Sequence, residues 1–156
     1  MYEKSIEPLN KAVAEELSGV NKYMYFHFHC SDQGYDLLAN LFRKTAIEEM
    51  IHVERLAERI LFLKGDVEMQ PSTKTEKIRD VADMLKHGMA MECASNSDSA
   101  SRKLLEELVM DEERHFSVFE TELSNLNKFG AQYLALQSIE RSKTISTPTG
   151  ENPTNL

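Results

Sequence analysis

The chain has 156 residues, of which 41% are hydrophobic and 28% are charged, a balance typical of one globular domain with a sizeable core. Its formal net charge of −8 argues against nonspecific binding to nucleic acid, and no apolar run approaches the roughly 20 residues that cross a membrane. Two cysteines, Cys30 and Cys93, do not make a disulfide framework, and the start of the chain does not resemble a signal peptide, so we expect a cytoplasmic protein.

Few helix-breaking residues and many Leu, Glu, Lys, Ala and Met residues predict four long helices and one short one. In chain order, the predicted helices run from about Lys4 to Cys30, from Asp36 to Lys64, from Asp80 into the polar segment Ser95–Asp98, from Ser99 to Lys128, and from Gln132 to Arg141. Gly65 is predicted as the C-terminal cap of the second helix. We expect one domain over residues 1–143 and a disordered tail over residues 144–156.

The connection after the second predicted helix is long. From Asp66 to about Arg79 it contains Pro71 and several polar residues. Antiparallel neighbours in a bundle need only a few residues between them, whereas about fourteen residues reach about 45 Å when extended. That length is enough to run back along the bundle and to start a third helix parallel to the second. The sequence therefore predicts an all-α four-helix bundle with one long crossover, as in ferritin-like folds, followed by a short fifth helix.

Each of the four long predicted helices carries a glutamate in the middle of its apolar stripe, because residues three, four and seven positions apart share one helix face. These glutamates are Glu16, Glu49, Glu92 and Glu112. Ionised carboxylates in a dry core cost several kcal/mol each unless they are paired or bound to metal. No Lys or Arg occupies the four stripes near the glutamates. The pattern therefore favours bound cations in the core.

Two Glu-x-x-His units strengthen this prediction. They place His52 beside Glu49 and His115 beside Glu112, each on a shared helix face. A single such unit is common on helices and by itself is usually structural. Two units on apolar stripes, with a core glutamate on each remaining helix, are far more specific and match the ligand set of a carboxylate-bridged pair of metal ions.

Three segments resemble the bacterioferritin family, and the resemblance extends from about Ile6 to Arg141. They are Ile47–Leu63 (IEEMIHVERLAERILFL), Glu16-Leu17 with Asn21, and Asp111–His115 (DEERH). The resemblance implies a ferroxidase centre at which Fe(II) is oxidised by O2 or H2O2, and ferric mineral stored inside a hollow oligomer built from two-fold dimers. It also implies that Glu16 and His52 are terminal ligands of one iron and that Glu92 and His115 are terminal ligands of the other. Glu49 and Glu112 would bridge the two.

The resemblance assigns roles to two further residues. Tyr23, two turns from Glu16 on the same face, looks like the redox-active tyrosine of the family, and the alternative is an ordinary core tyrosine with a hydrogen-bonded hydroxyl. Met50 lies about 100° round the helix from Glu49, on an outer apolar stripe with Ile47 and Leu61. In the family, the methionine at this place binds b-type haem together with the methionine of a second subunit. The alternative is a gap-filling methionine at an interface.

The chain departs from the family pattern in its second half. Thirty-three positions separate Glu16 from Glu49, but only twenty separate Glu92 from Glu112, so the second hairpin is shorter. Family members of usual length form cages of 24 subunits, and this shortened form makes a cage of twelve an alternative. Lys44 stands where many relatives carry a histidine that helps an inner-surface iron site, and Glu48 keeps the acid beside it. Cys30 lies too far from Glu16 to form a pair near the metals.

Two other functions stay open at this point. A rubrerythrin-like diiron peroxidase uses a similar bundle, but such proteins usually carry a cysteine-rich iron domain, and the chain contains no Cys-x-x-Cys. A haem-free, starvation-type (Dps-like) protective cage would sequester iron rather than turn it over. A DNA-binding version of such a cage would need a basic tail, and both ends of this chain are nearly neutral.

Overall fold

A computed structural model describes residues 3–88 and 98–138, and all regular secondary structure in those ranges is α-helical. The helices are α1 (Glu3–Asp32), α2 (Asp36–Phe62), α3 (Val81–Gly88), α4 (Ser99–Phe129) and α5 (Ala131–Leu136). The predicted all-α bundle with a short fifth helix is confirmed. The continuation of the third helix to Ser95, the residue Cys93 and the tail 144–156 lie outside the described residues, so the domain limits stay a prediction.

Two helix ends differ from the prediction. α2 closes in a Schellman motif, in which Lys64 N–H donates to the carbonyl of Leu61 and Gly65 N–H donates to that of Ile60, both at 3.0 Å. The left-handed residue is Lys64 (φ 63°), so the assignment of Gly65 as the cap is wrong by one residue. Gly65 serves a different purpose, because a Cβ there would lie 2.9 Å from the side chain of Ile6. The end of α2 can therefore pack directly against the first turns of α1.

The second difference concerns α5, which ends at Leu136 rather than at Arg141. The amides of Gln137 and Ser138 donate to the carbonyls of Leu134 and Ala135 in a tight turn, and this turn stops the helix. The helix is nevertheless anchored, since the buried Tyr133 donates its hydroxyl proton to the carboxylate of Glu122 at 2.6 Å.

The directions of the helices follow from contacts between them. The loop between α1 and α2 is short, so these helices are antiparallel neighbours. The Sγ of Cys30 lies 3.6 Å from the Sδ of Met84, and the hydroxyl of Tyr23 donates to the carbonyl of Gly88 at 3.3 Å. The later residue of α1, Cys30, thus contacts the earlier residue of α3, and the earlier residue of α1, Tyr23, contacts the last one. α3 is therefore antiparallel to α1 and parallel to α2.

This arrangement requires the crossover, residues 63–80, to run back along α1, as the length of the connection predicted. Polar side chains of α1 and of the turn after it hold the crossover by hydrogen bonds: Asn10 to the carbonyl of Asp66, Ser18 to the amide of Thr73, and Gln33 to the carbonyl of Arg79. The crossover thus follows α1 over almost its whole length. Across residues 3–88 and 98–138, no helix is long and apolar enough to cross a membrane.

Two apolar clusters fill the bundle, one toward each end. The first is aromatic and includes Phe26, Phe42 and Phe119, and the second is aliphatic and includes Leu56 and Ile60. All five of these side chains are fully buried. Of the predicted glutamates, Glu16, Glu49 and Glu112 lie in the layer between the two clusters, with apolar packing above and below them. The fold in this way encloses a polar layer between two apolar ones.

Candidate metal centre

Five of the six predicted metal ligands meet in this polar layer. Four of them each offer one ligand atom, and these atoms all lie within 4.8 Å of one another: Glu16 from α1, Glu49 and His52 from α2, and Glu112 from α4. His115 of α4 joins them, since its Nδ1 lies 3.1 Å from Glu49 Oε1 and 3.9 Å from Glu112 Oε1. The sixth, Glu92, lies outside the described residues, and its role as a ligand stays a prediction.

Several polar atoms at this point have no aligned hydrogen bond. They are Glu49 Oε1, Glu112 Oε1 and His115 Nδ1, and in the described part of the chain the only other buried side-chain atom in that state is Tyr25 Oη. An unpaired buried polar atom costs about 1–3 kcal/mol. Three such atoms at one place are expected where a further group completes them. Carboxylate oxygen and imidazole nitrogen are donors that suit first-row divalent ions, so the residues present fit a metal pair.

The carboxylates cannot all carry charge without a cation. Burial raises the pKa of Glu16 to about 9, and repulsion from Glu49 adds to burial while a hydrogen bond from His52 opposes it. Burial and then the charge of Glu49 raise the pKa of Glu112 to about 7. Burial acts in the same sense on Glu49, but the close imidazoles of His115 and His52 lower its pKa well below the usual range. In the absence of metal, protons therefore neutralise part of the site.

The two histidines present the same nitrogen to the site. Nδ1 of His52 lies 3.2 Å from Glu16 Oε2 and 3.3 Å from Glu49 Oε2, as Nδ1 of His115 faces Glu49. Burial alone would lower the pKa of His52, but hydrogen bonds to Glu16 and Glu49 outweigh burial and raise it to about 10. The pKa of His115 is also raised, because close contacts with the carboxylates of Glu49 and Glu48 overcome burial. Both imidazoles can ligate a metal through Nδ1.

Gly19 of α1 faces Glu49 across the helix interface. A Cβ built on Gly19 would lie 3.3 Å from Cγ of Glu49 and 3.5 Å from its Cδ. Beside this contact, a cavity of about 280 Å³ opens toward the crossover, and its lining includes Lys22 and the segment Thr73–Glu76 together with Glu49 and Glu112. The carboxylates therefore have an open side next to α1.

Sequence reasoning missed several charged residues beside the ligands. Asp111 and Glu48 contact the outer nitrogens of the two histidines, and Arg114 contacts Glu48 at 2.6 Å. A half-buried lysine, Lys22, borders the cavity although it is not on the apolar stripe of α1, and burial lowers its pKa against the attraction of Glu49. The sequence signal that could have identified Glu48 and Asp111 is that each directly precedes a predicted ligand, Glu49 and Glu112.

Tyr23 lies beside the carboxylates as the apolar stripe predicted. It is buried, and its ring stacks on Phe42 at 6.3 Å between centroids. Burial and then the charges of Glu49 and Glu112 raise its pKa well above the ordinary value, so the phenol keeps its proton and donates it to the carbonyl of Gly88. Tyr23 thus has the hydrogen-bonded hydroxyl expected of an ordinary core tyrosine, and its redox role stays a prediction.

Met50 is 55% exposed on the outer face of α2, where Leu61 is 57% exposed and Ile47 is 36% exposed. The predicted outer stripe is thus present and is separate from the metal ligands. It offers an exposed thioether on an apolar stripe.

Comparison with known proteins adds to this geometry. The family pattern described as a ferritin-like domain matches residues 6–129. A bacterioferritin of Brucella melitensis is 33% identical over 142 residues, which cover 83% of this chain and 88% of that protein. The bacterioferritin BfrA of Mycobacterium tuberculosis is 32% identical over 151 residues, which cover 87% of this chain and 94% of that protein.

Among solved structures, this chain is similar to the bacterioferritin of Desulfovibrio desulfuricans. Its X-ray structures describe the diiron site in different catalytic states. The match has a TM-score of 0.81 and 29% sequence identity, and it covers 98% of this chain and 94% of that chain.

Proposed function

The chain belongs to the bacterioferritin family, and from that premise we propose that it oxidises Fe(II) with O2 or H2O2 and stores the ferric product inside a hollow oligomer. The observation that carries this proposal is the convergence of ligand atoms from Glu16, Glu49, His52 and Glu112 within 4.8 Å in a buried layer. When two iron ions are bound, they supply the redox chemistry, since each gives one electron to the shared oxidant. The protein supplies position and charge balance.

The spacing of the carboxylate oxygens supports a shared role for Glu49. Its Oε2 lies 3.3 Å from His52 Nδ1 and its Oε1 lies 3.1 Å from His115 Nδ1, so each oxygen faces a different histidine. Glu112 Oε1 is nearly equidistant from the two, at 3.7 Å and 3.9 Å. We therefore assign Glu49 and Glu112 as bridging ligands.

The remaining ligands are assigned as terminal. Glu16 contacts His52, which favours one ion held by this pair. We assign Glu92 to the second ion with His115, on the family pattern alone. The ring centroids of the two histidines are 6.2 Å apart, which leaves room for separate ions. Tyr23 is proposed as the redox-active tyrosine beside them.

The diiron proposal is tested with Glu49→Ala. We expect the rapid phase of Fe(II) oxidation to disappear, because both ions lose a shared ligand, and stopped-flow absorbance measures it. Glu54→Ala is the matched control, as Glu54 is an exposed glutamate of the same helix. Unchanged oxidation in Glu49→Ala would overturn the ligand assignment.

We also propose b-type haem at Met50, shared with a second subunit across a two-fold axis. The exposed thioether lies on the same apolar stripe of α2 as Ile47 and Leu61, and such a stripe fits an apolar ring held at a subunit interface. Soft sulfur suits low-spin haem iron. In Met50→Leu we expect the Soret band to vanish while Fe(II) oxidation continues. Absence of a Soret band in protein from haem-replete cells would reject this assignment and favour the haem-free protective cage.

The cage itself is proposed to contain twelve or 24 subunits built from two-fold dimers, in the cytoplasm. The twenty positions between Glu92 and Glu112 support the smaller number, and the helix α5 supports the larger. The native mass of the purified protein decides between them.

A further inference from the structure

We propose that Arg114 is a positioning residue of the metal centre, whose guanidinium holds the two outer carboxylates that orient the ligand histidines. The proposal rests on the function proposed above. It concerns a cluster that we call the outer carboxylate cluster, defined by Glu48, Asp111 and Arg114.

Each ligand histidine contacts one member of this cluster through the nitrogen that faces away from the site. Nε2 of His52 lies 3.0 Å from Asp111 Oδ2, and Nε2 of His115 contacts Glu48 Oε2. An ionised carboxylate can only accept a hydrogen bond, so Nε2 must carry the proton in both rings. Nδ1 is then the nitrogen with a free lone pair when metal binds, and it is the one that points at Glu16 and Glu49. A carboxylate behind a metal-binding histidine fixes both the tautomer and the ring orientation.

A single guanidinium links the two carboxylates. Nη2 of Arg114 lies 2.6 Å from Glu48 Oε2 and 3.8 Å from Asp111 Oδ1. It also lies 3.3 Å from Nε2 of His115, but the closer contact of that nitrogen is with Glu48, which places the ring proton between imidazole and carboxylate. Glu48 belongs to α2 and the other members belong to α4, so Arg114 also fixes the two helices that carry the histidines.

The carboxylates need this support because they are partly open to water. The side chain of Asp111 is 39% exposed and that of Glu48 is 23% exposed. Without a partner, a half-exposed carboxylate samples several rotamers and holds a histidine loosely. The two contacts to Arg114 therefore restrict the positions of both carboxylates.

The chain offers a matched control on the same pair of helices. Arg55 of α2 forms an ion pair with Glu107 of α4, and these side chains are 37% and 46% exposed, compared with 50% and 23% for Arg114 and Glu48. Neither residue contacts a ligand histidine among the described contacts. Removal of this pair loosens the same helix interface without touching the histidines.

The experiment is a titration of metal-free, full-length protein with Co(II), followed by its visible d–d absorption, which reports the coordination of the ion rather than turnover. We expect two Co(II) per chain in the unaltered protein. Arg114→Leu should weaken Co(II) binding by about tenfold, because removal of outer-shell partners typically costs 10–100-fold in metal affinity. Its d–d spectrum should also change, because the histidine geometry changes. Arg114→Lys should restore part of the affinity, and Arg55→Leu should bind as the unaltered protein does.

The outcomes separate this proposal from the function on which it rests. If the unaltered protein binds two Co(II) and Arg114→Leu binds them with the same affinity and spectrum, the positioning role is wrong and the ferroxidase proposal stands. If Arg55→Leu loses as much affinity as Arg114→Leu, the effect belongs to the helix interface and the positioning role is again wrong. If the unaltered protein binds no Co(II) at this centre, both proposals fail. Should Arg114→Leu not fold, Arg114→Lys and Asp111→Asn carry the same comparison.

Discussion

Replacement of Gly19 by alanine tests whether the bridging position of Glu49 depends on the space beside α1. The new Cβ would lie 3.3 Å from Glu49 Cγ, so the carboxylate must retreat by about a few tenths of an ångström. Glu49 is only 2% exposed and contacts both histidines, so its carboxylate can hardly move away from α1 without leaving its place between them. A misplacement of 1 Å can cost about 100-fold in rate, so a shift of this size should slow Fe(II) oxidation by about tenfold.

The same substitution has a nearly neutral effect on the fold. Alanine is favoured over glycine in a helix interior by about 0.8–1.0 kcal/mol, while overpacking in a core costs about 1–3 kcal/mol. We expect the free energy of unfolding of the metal-free protein to change by less than about 1–2 kcal/mol, since these terms oppose each other. Initial rates of Fe(II) oxidation and urea denaturation measure the two effects. Lys11→Ala, at an exposed position of the same helix, should change neither. A Gly19→Ala protein that oxidises Fe(II) at the unaltered rate would refute the argument.

Two further predictions follow from protons and capping. Binding of Zn(II) at pH 7 should release at least two protons per chain, because Glu16 and His52, whose pKa values are raised to about 9 and about 10, hold protons that the metal displaces. Glu112, whose pKa is raised to about 7, adds part of a third proton. Affinity should therefore increase as the pH rises toward 9; calorimetry in buffers of different ionisation enthalpy counts the protons, and a pH-independent affinity would contradict the ligand set. Asp98→Ala should lower the free energy of unfolding by about 1–2 kcal/mol, measured with urea, because Asp98 caps α4 through Ser101 N–H and binds Arg59 at 2.7 Å. Hydrogen bonds from Ser101 and Arg59 overcome partial burial and hold the pKa of Asp98 in the folded protein well below its usual range. The stabilisation by Asp98 is therefore present above about pH 4 and is lost as the pH falls. Equal stability of Asp98→Ala and the unaltered protein at pH 7 would argue against this role of Asp98.

The helices and most of the candidate site were predictable because each rests on one periodicity. Residues three, four and seven apart share a helix face, so Glu49 and His52 appear on the stripe that also contains Phe42 and Leu56, and all four are buried. The long crossover was predictable from its length alone. These features can be predicted without knowing which helices pack against each other.

The parts that failed depend on contacts between helices or on local geometry. Glu48 and Asp111 each lie one position before a ligand, about 100° round the helix, and only the packing of α2 against α4 brings them behind the histidines. Lys22 reaches the cavity because its side chain is long, which a helical stripe does not represent. The cap at Lys64 was assigned to Gly65 because glycine is the common left-handed residue, whereas the steric demand at Gly65 comes from Ile6 on another helix.

The crossover has a consequence for access to the carboxylates. A connecting segment without regular structure is usually among the first parts of a domain to open. Here hydrogen bonds hold the segment against α1, since the amide of Glu68 donates to Asn10 Oδ1 and the amide of Thr73 donates to Ser18 Oγ. Residues 73–76 also wall the cavity that reaches Glu49. Breaking these few hydrogen bonds would widen the opening of the cavity while every helix stays folded. The width of that opening therefore depends on hydroxyl and amide side chains rather than on the core.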